Sequence, residues 1–409
     1  MSDRLKRILF IAFFIVFSIG IGGAIYMYFF RPVPAPTPVV PPEELGGALP
    51  GAGEGAPGIP GEVLPPGALP SAEAVPGAVA PTPVSELQTV ILNEGISNNV
   101  SLSSDGRSAR YYSPEDSKFY KVNADGLITA LSDQTFPSVE SVSWGHTRDQ
   151  AILSFPDGSN IYYDFASGKQ KTLPQHWNDF DFSPDDKNIV AKSDAVAPES
   201  RFLIVADPDG SNPRAIEPLG NNSNKTFPVW TDNKQIIAYA TVGEAKGFDR
   251  QEIIMIGQNH ENFKGLLVEG RGFTPLWSPT GRQIVYSVWN AESGFRPELW
   301  TSGGSAENMN QNRIKLGIQT WADKCVWANE TTLYCGVPSL LPSGAGLERS
   351  LFTNTVDNVM KIDLATGEQI QLGSPGTGLS VTNPVIVDEG RYLMFRDAAT
   401  GGLYRFRLF

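Results

Sequence analysis

The residue types that most often carry out catalysis are few in this sequence, and they do not form a known motif. The three histidines, His146, His176 and His260, lie far apart and lack the spacing of a metal site. No Gly-x-Ser-x-Gly pentapeptide, the nucleophile motif of α/β-hydrolases, is present. The Asp-rich stretch 207–212 lacks the spacing and the closing glutamate of an EF-hand calcium loop. We therefore predict no catalytic residue, no bound metal and no cofactor, and we expect the acidic residues to be solvated turn residues.

An aromatic residue and an arginine recur together in two predicted loops. One loop contains Phe248 and Arg250, the other contains Phe295 and Arg296, and in both a Gly-Phe step precedes the arginine. Loops on a rigid scaffold commonly carry binding sites, and aromatic residues and arginine are enriched where binding energy concentrates. We predict that these four residues form a binding surface. The alternative is that the two phenylalanines pack beneath their own loops.

The two cysteines, Cys325 and Cys335, have a spacing that fits a disulfide across one hairpin. Cys325 lies two residues before Trp327, on the same side of a predicted strand, and the hairpin length puts Trp327 opposite Leu333. Cys325 then faces Cys335, with Cβ atoms about 4.5 Å apart, near the upper limit for a disulfide. The pattern predicts a disulfide. Two reduced thiols packed beneath Trp327 are the alternative.

These candidate residues belong to a hairpin pattern that repeats along most of the chain. The clearest copy is Trp-Ser-Pro-Thr-Gly at 277–281, followed by an apolar run at 284–286. Serine, proline and glycine at the first, second and fourth positions of the turn favour a type I turn between antiparallel strands. Seven copies recur 38 to 59 residues apart, centred on Leu102, Trp144, Phe182, Trp230, Trp277, Trp327 and Ile386. Such a period is typical of four-stranded propeller blades. We predict an all-β fold, a β-propeller of about seven blades over residues 87–409.

The third blade illustrates the expected pattern, with strands predicted at 178–182, 188–192, 201–206 and 213–217. The connection between the second and third strands is predicted to be short in blades one to three, for example at 113–117 and 156–159. It is longer in blades four to six, at 243–250, 290–297 and 337–358. Because binding residues concentrate in loops on a rigid scaffold, we expect these three longer loops to form the working face.

The last repeat contains only three predicted strands after Gly378. The β-prone run 87–92 precedes the first repeat and has no partner there. Pairing this run outside the last strand would complete the seventh blade and cover two exposed strand edges. We predict this closure by the N-terminal run. An open ring or a six-bladed ring is the alternative.

The third repeat also resembles a known family. Phe-Ser-Pro-Asp at 182–185 and the segment 203–214 resemble the WD-like repeat of TolB-type propellers, which are proteins of the bacterial cell envelope. The similarity is good over 181–218 and 274–301 and faint over the other blades. It implies an extracytoplasmic propeller of bacterial origin that binds a partner and is not an enzyme. It transfers no site residue, because this chain has about seven repeats whereas TolB has six blades and a further N-terminal domain.

The N-terminal residues indicate where the propeller resides. Residues 8–30 carry no charge and, at ~1.5 Å per residue, form a helix of about 34 Å, long enough to span a bilayer. Arg4, Lys6 and Arg7 precede this run, and positive charge is retained in the cytoplasm. We predict a cytoplasmic N-terminus at 1–7, a single-pass signal-anchor helix at 8–30 in the cytoplasmic membrane, and an extracytoplasmic propeller. A cleavable signal peptide is the alternative.

Residues 31–86 are dominated by proline, glycine and alanine and contain no aromatic residue. Such a segment cannot bury enough apolar surface to fold, so we predict a disordered tether. The net charge of −12 repels phosphate backbones and argues against nucleic acid as a partner. We expect an interaction or scaffold module for an envelope protein or a cell-wall component. A receptor for a glycan or small ligand, and a propeller enzyme of the lactonase or lyase type, are the alternatives.

Overall fold

The computed structural model describes residues 88–261, 263–352 and 354–409, together with Phe14, Phe17 and Gly20, which are helical. The chain divides into two compact units, Met1–Ala78 and Val79–Phe409. The predicted membrane span 8–30 and the predicted tether 31–86 lie outside the described residues, apart from those three positions. Among the residues described, no helix has the length and apolar character needed to cross a membrane.

Within the described part of the second unit, 28 strands form seven antiparallel sheets of four strands each, the blades of a propeller. The strand that precedes the first blade is β1 (Thr89–Asn93). Blade one comprises β2 (Asn98–Leu102), β3 (Ser108–Ser113), β4 (Lys118–Asn123) and β5 (Ile128–Ala130). Blade two comprises β6 (Ser141–Trp144), β7 (Gln150–Ser154), β8 (Asn160–Asp164) and β9 (Gln170–Leu173). Blade three comprises β10 (Trp177–Phe182), β11 (Ile189–Ser193), β12 (Phe202–Ala206) and β13 (Arg214–Pro218).

The remaining blades follow in the same way. Blade four comprises β14 (Thr226–Pro228), β15 (Ile236–Ala240), β16 (Gln251–Gly257) and β17 (Leu266–Val268). Blade five comprises β18 (Arg271–Trp277), β19 (Gln283–Trp289), β20 (Glu298–Gly303) and β21 (Ile314–Lys315). Blade six comprises β22 (Cys325–Trp327), β23 (Thr332–Pro338), β24 (Asp357–Asp363) and β25 (Gln369–Gly373). Blade seven contains β26 (Val381–Val387), β27 (Tyr392–Asp397) and β28 (Leu403–Arg407).

In each of the first six blades the strands pair in chain order, so that every strand is hydrogen-bonded to the next. The first strands of neighbouring blades contact each other, for example β2 with β6 and β6 with β10. The first strand of each blade therefore lies nearest the central axis, and the fourth strand lies at the rim. The seven-bladed, four-stranded architecture predicted from the repeat is confirmed, and the strand ends predicted for blade three are correct to within one residue.

The Ser-Pro turn forms as predicted. Gly281 N–H donates to the Ser278 carbonyl oxygen at 2.8 Å, and the Ser278 hydroxyl accepts from Gln283 N–H at 3.2 Å. Gly281 has a φ of +67°, a left-handed conformation that glycine adopts without steric cost. Asp186 has the equivalent position in blade three with a φ of +56°. A carboxylate is therefore held at a position where the backbone alone favours glycine.

Carboxylates in these turns bind the turn of the preceding blade. Asp186 accepts hydrogen bonds from the main-chain N–H groups of residues 146–148 at 2.7 to 2.9 Å, and it is 4% exposed. In the same way, Glu330 of blade six accepts from Thr280 N–H of blade five at 2.7 Å. The expectation that the acidic turn residues are solvated is wrong for Asp186, and Glu330 is half-buried. Each one satisfies N–H groups that the packing of neighbouring blades brings to it.

Aromatic side chains fill the spaces between neighbouring blades. The ring of Phe119 in blade one lies 5.5 Å from that of Trp144 in blade two and 5.0 Å from that of Phe165. The Trp144 indole N–H also donates to the Asn99 carbonyl oxygen in the first strand of blade one, at 2.8 Å. Trp327 donates in the same way to the first strand of blade five, at 3.3 Å. These two repeat tryptophans therefore join neighbouring blades both by packing and by hydrogen bonding.

Blade seven is completed by β1, which pairs antiparallel with β28. Thr89 lies opposite Phe406, and Arg407 N–H donates to the Gln88 carbonyl oxygen at 2.7 Å. The predicted closure by the N-terminal run is confirmed, with the strand beginning at Thr89. The open ring and the six-bladed ring are both wrong.

The predicted hairpin register of blade six is also confirmed. Cys325 pairs with Cys335 and Trp327 pairs with Leu333, and the two cysteines form a disulfide. Both cysteines are buried, at 3% and 0% exposure. The alternative of two reduced thiols beneath Trp327 is therefore wrong.

One predicted loop length is wrong. The connection between β11 and β12 in blade three is not short; it runs over eight residues, 194–201, and contains a 3₁₀ helix at Pro198–Ser200. Arg201 holds this loop in shape, because its guanidinium donates to the carbonyl oxygens of Ala195 and Val196 at 2.8 and 3.0 Å. The long connections are therefore found in blades three to six.

Candidate interaction surface

The connections between second and third strands lie on one face of the ring, because strand direction alternates within each blade. Among the described residues they are short in blades one, two and seven, at 114–117, 155–159 and 398–402. They are longer in blades three to five, at 194–201, 241–250 and 290–297. In blade six, 339–352 begins a connection that continues to 356. We call the segments 194–201, 241–250, 290–297 and 339–352 the loop arc.

Each segment of the loop arc exposes at least one large apolar side chain. Val196 is 95% exposed, Phe248 is 88% exposed, and Leu340 and Leu351 are 77% and 74% exposed. Phe295 is exposed to a smaller extent, at 36%. Large exposed apolar patches mark interaction surfaces in soluble domains, and these side chains lie on neighbouring loops of one face. Sequence reasoning found Phe248 and Phe295 but missed the other three. The only signal for Leu340 and Leu351 was the abundance of leucine in a long loop.

Hydrogen bonds join the segments of blades four, five and six to each other. Ala291 N–H donates to the Asp249 carboxylate at 3.1 Å, which connects blades four and five. Gly346 N–H donates to the Phe295 carbonyl oxygen at 2.7 Å, which connects blades five and six. The three segments therefore form one continuous, hydrogen-bonded surface.

Blade three joins this surface through a short helix. The 3₁₀ helix Gly220–Lys225, which leads into blade four, contacts the 3₁₀ helix Pro198–Ser200 of blade three. On its other side, the Lys225 carbonyl oxygen accepts from Thr241 N–H at 2.9 Å. The loop arc is thus connected from blade three to blade six.

The two predicted phenylalanines lie in different surroundings. Phe248 extends into solvent, so it does not pack beneath its own loop. Phe295 has a left-handed backbone with a φ of +58°, and its ring packs edge-on against Trp289 at 6.0 Å between centroids. Phe295 therefore belongs partly to the loop's own packing and partly to the exposed surface.

The two predicted arginines hold the loops in place. Arg250 Nε lies 2.7 Å from the Glu269 carboxylate, in the connection after β17. Arg296 Nε donates to the Leu341 carbonyl oxygen at 2.7 Å, across the boundary between blades five and six. The structure therefore places all four predicted residues in the loop arc, with the guanidinium groups directed at the protein itself.

A buried ion pair holds the end of the longest loop. Lys324 Nζ lies 2.6 Å from the carboxylate of Asp357, at the start of β24, and the two side chains are 3% and 0% exposed. Burial raises the pKa of the Asp357 carboxyl and lowers the pKa of the Lys324 amine. The same carboxylate accepts from Val381 N–H at 2.6 Å, in the first strand of blade seven. No sequence signal pointed to this pair, which joins blades six and seven beneath the loop arc.

A cavity of about 360 Å³ lies between blades three and four. Its lining mixes apolar side chains, among them Leu219, Val242 and Ile254, with the polar His260 and Glu261. Among the described residues, no group of three or more His, Cys, Asp or Glu side chains is arranged to hold a metal ion. A small ligand would find a recess here, next to the start of the blade-four segment of the loop arc at Val242.

The fold defines the class of this protein as a seven-bladed β-propeller with four-stranded blades. No protein family model matches the sequence. No curated protein matches it in sequence either. The TolB-type resemblance of the repeats stays a prediction.

Solved structures share the fold at low sequence identity. An oligogalacturonate lyase in complex with manganese is 12% identical, with a TM-score of 0.53 over 78% of this chain and 93% of that chain. The propeller domain of Cps50 (Swd1) from Myceliophteria thermophila is 13% identical, with a TM-score of 0.50 over 78% and 100%. The virginiamycin B lyase from Staphylococcus aureus is 11% identical, with a TM-score of 0.50 over 78% and 98%. At these identities the similarity shows the fold alone.

Proposed function

We propose that this chain is a protein-interaction module of the bacterial cell envelope. Residues 8–30 hold it in the cytoplasmic membrane, residues 31–86 act as the tether, and the propeller binds an envelope protein or cell-wall component outside the cytoplasm. The Cys325–Cys335 disulfide supports this location, because disulfides persist in oxidising compartments and are rare in the cytosol. The TolB-like repeat supports the same assignment.

The observation that carries the proposal is the loop arc. It exposes apolar side chains on four consecutive blades, and hydrogen bonds already fix the loops that present them. A partner that binds a preorganised surface does not have to order it, so a larger part of the contact energy appears as affinity. The opposite face has carboxylates such as Asp186 and Glu330 that are engaged between blades. The loop arc is therefore the face we assign to partner binding.

Proximity labelling tests the proposal with the full chain, carrying a labelling enzyme after Phe409. The arc variant combines Phe248→Ser, Leu340→Ser and Leu351→Ser, which removes exposed apolar groups without touching the core. The control variant, Leu127→Ser, removes an apolar side chain that is 64% exposed in the hairpin between β4 and β5, on the opposite face. We expect wild type and control to label the same envelope proteins and the arc variant to lose them. Equal labelling by all three would overturn the assignment.

Metal analysis separates this proposal from the lyase alternative. The oligogalacturonate lyase among the structural neighbours is in complex with manganese. If this chain were a metal-dependent lyase, the purified protein would retain about one divalent ion per chain. An interaction module retains none, so a stoichiometric ion that survives dialysis against a chelator-free buffer would favour the enzyme.

A further inference from the structure

We infer that the loop arc takes a protein surface with an apolar centre and a margin of lysine or arginine. This inference rests on the proposed function and specifies the chemistry of the partner. It comes from a difference between the charged side chains of the arc. Each cation has an ion-pair or main-chain partner within the protein, whereas two exposed carboxylates, Glu199 and Glu348, have no cation beside them among the described residues.

The apolar part of the inference follows from the tips of the loops. Val196, Phe248, Leu340 and Leu351 are each at least 74% exposed, and they belong to three of the four segments of the loop arc. Burying them against water-excluding side chains is favourable by roughly 25 cal/mol per Å² of apolar surface removed from water. A hydrophilic polymer such as a glycan would leave this contribution unused. The partner surface therefore has apolar side chains at its centre.

Every cation of the loop arc already has a partner within the protein. Arg296 donates to main-chain oxygen, as described above. The other four cations form ion pairs. The N–O distance is 3.3 Å between Arg201 and Asp194 and 2.9 Å between Lys246 and Glu244. It is 2.7 Å between Arg250 and Glu269 and 2.8 Å between Arg349 and Asp323. Arg349 also lies over the Trp321 ring, 4.9 Å from its centre. An anionic partner would have to compete with these contacts.

The carboxylates show the opposite pattern. Glu199 and Glu348 are exposed, and among the described residues neither has a cation within 4.0 Å. Glu348 accepts a hydrogen bond from the Ser350 hydroxyl, so its charge is not neutralised. Glu292 is 82% exposed, and its one ion pair among the described residues is a 3.5 Å contact with Lys315. These three acids belong to the segments of blades three, six and five, so they border the apolar tips on more than one side. Lysine or arginine on the partner complements them.

The same charges argue against other occupants. An anionic membrane surface or a phosphate-rich polymer would meet exposed carboxylates, and it would meet cations that already have a partner within the protein. A second copy of this chain would bring the same acids of its own arc towards these. A partner protein with basic residues around an apolar patch is the occupant that fits both observations.

The test uses photo-cross-linking of the full chain in the cells that make it. A photoreactive amino acid replaces Leu340, and the cross-linked products are identified by mass spectrometry. The charge-reversal variant adds Glu199→Lys and Glu348→Lys. Its matched control adds Glu94→Lys and Asp133→Lys, which changes the net charge equally at exposed positions away from the loop arc. We expect about a tenfold or greater loss of cross-linking with the arc reversal and little change with the control, since like charges at an interface cost several kcal/mol.

The outcomes distinguish the inference from the proposed function. If Phe248→Ser abolishes cross-linking but the arc reversal leaves it unchanged, the loop arc binds a partner but the basic margin is wrong. If neither change affects it, the proposed function fails as well. Products that contain lipid, or two copies of this chain, overturn the inference directly. Support requires that the cross-linked segment of the partner is apolar and has lysine or arginine beside it.

Discussion

Single residues of the loop arc fall into two groups with different physical roles. Arg250 and Arg296 are oriented towards Glu269 and the Leu341 carbonyl oxygen, so they fix the shape of their loops. Phe248 makes no such contribution and is left at the surface. Replacing either arginine would therefore change the loop as well as the surface. Variants at Phe248 report on binding more directly.

The disulfide leads to a prediction at the same scale. Replacing both cysteines, Cys325→Ala with Cys335→Ala, opens a loop that closes at a sequence separation of 10. In the chain-entropy model this closure contributes about 2–3 kcal/mol to the free energy of unfolding, because it restricts the unfolded chain. Urea unfolding followed by tryptophan fluorescence should show this loss as a lower midpoint with a similar slope.

The control for this experiment is the oxidation state of the wild type. Thiol titration of the unfolded, unreduced protein is expected to find almost no free thiol. Two free thiols per chain would contradict both the disulfide and the extracytoplasmic location. Equal midpoints for the oxidised wild type and the double variant would show that the disulfide adds no stability.

Among the elements, β1 leads to the clearest prediction. Deleting 88–93 removes the fourth strand of blade seven and leaves the outer edge of β28 unpaired. Deleting 31–86 instead removes the predicted tether and keeps β1. We expect the first deletion to lower the thermal midpoint sharply and to promote aggregation, since an unpaired strand edge recruits other strands. The second deletion should leave the midpoint unchanged. Differential scanning calorimetry compares the two, and equal midpoints would mean that β1 does not hold the ring closed.

The elements also show which parts of this structure can be predicted from sequence. Ser278 and Gly281 carry local turn chemistry, so the hairpins and their repeat were recognisable without any knowledge of neighbouring blades. The closing strand was predicted because the last repeat contained only three strands. The disulfide was predicted from the pairing register of the hairpin in blade six. These inferences use signals that lie within one blade or at the two ends of the repeat array.

The length of the connection at 194–201 could not be predicted from signals within the sequence of one blade. Its shape depends on Arg201, whose guanidinium binds carbonyl oxygens that only the folded loop brings together. The roles of Asp186 and Asp357 have the same origin, because both accept main-chain N–H groups of another blade. The exposure of Val196 and Leu340 is likewise a property of the folded loops. Much of the candidate surface therefore could not be predicted from the sequence alone.

The whole molecule has two unlike faces. The face with the turns between first and second strands has carboxylates bound between blades, whereas the loop arc exposes apolar tips on blades three to six. On the face of the loop arc, the connections between second and third strands are short in blades one, two and seven. The asymmetry lets a partner recognise about half of the ring.

The proposed anchor leads to a prediction for the full chain in cells. The intact protein should sediment with membranes and should be released by detergent but not by 1 M salt or alkaline carbonate. A variant lacking 8–30 should appear in the soluble fraction. Protease added outside the cytoplasmic membrane should degrade the tether and release the propeller. Salt-releasable protein, or a propeller protected from external protease, would contradict the anchor and its orientation.

The pairing of β1 with β28 joins the start of the propeller to its end, about 310 residues later in the chain. At a synthesis rate of roughly 5–20 residues per second, β1 leaves the ribosome about 15–60 s before its partner does. The first six blades can assemble during this interval, because each one pairs only strands that are neighbours in the chain. Blade seven has to wait for the final residues. A chain that terminates before Leu403 therefore keeps an unpaired β1, and an incomplete translation product differs from the finished protein by that exposed strand edge.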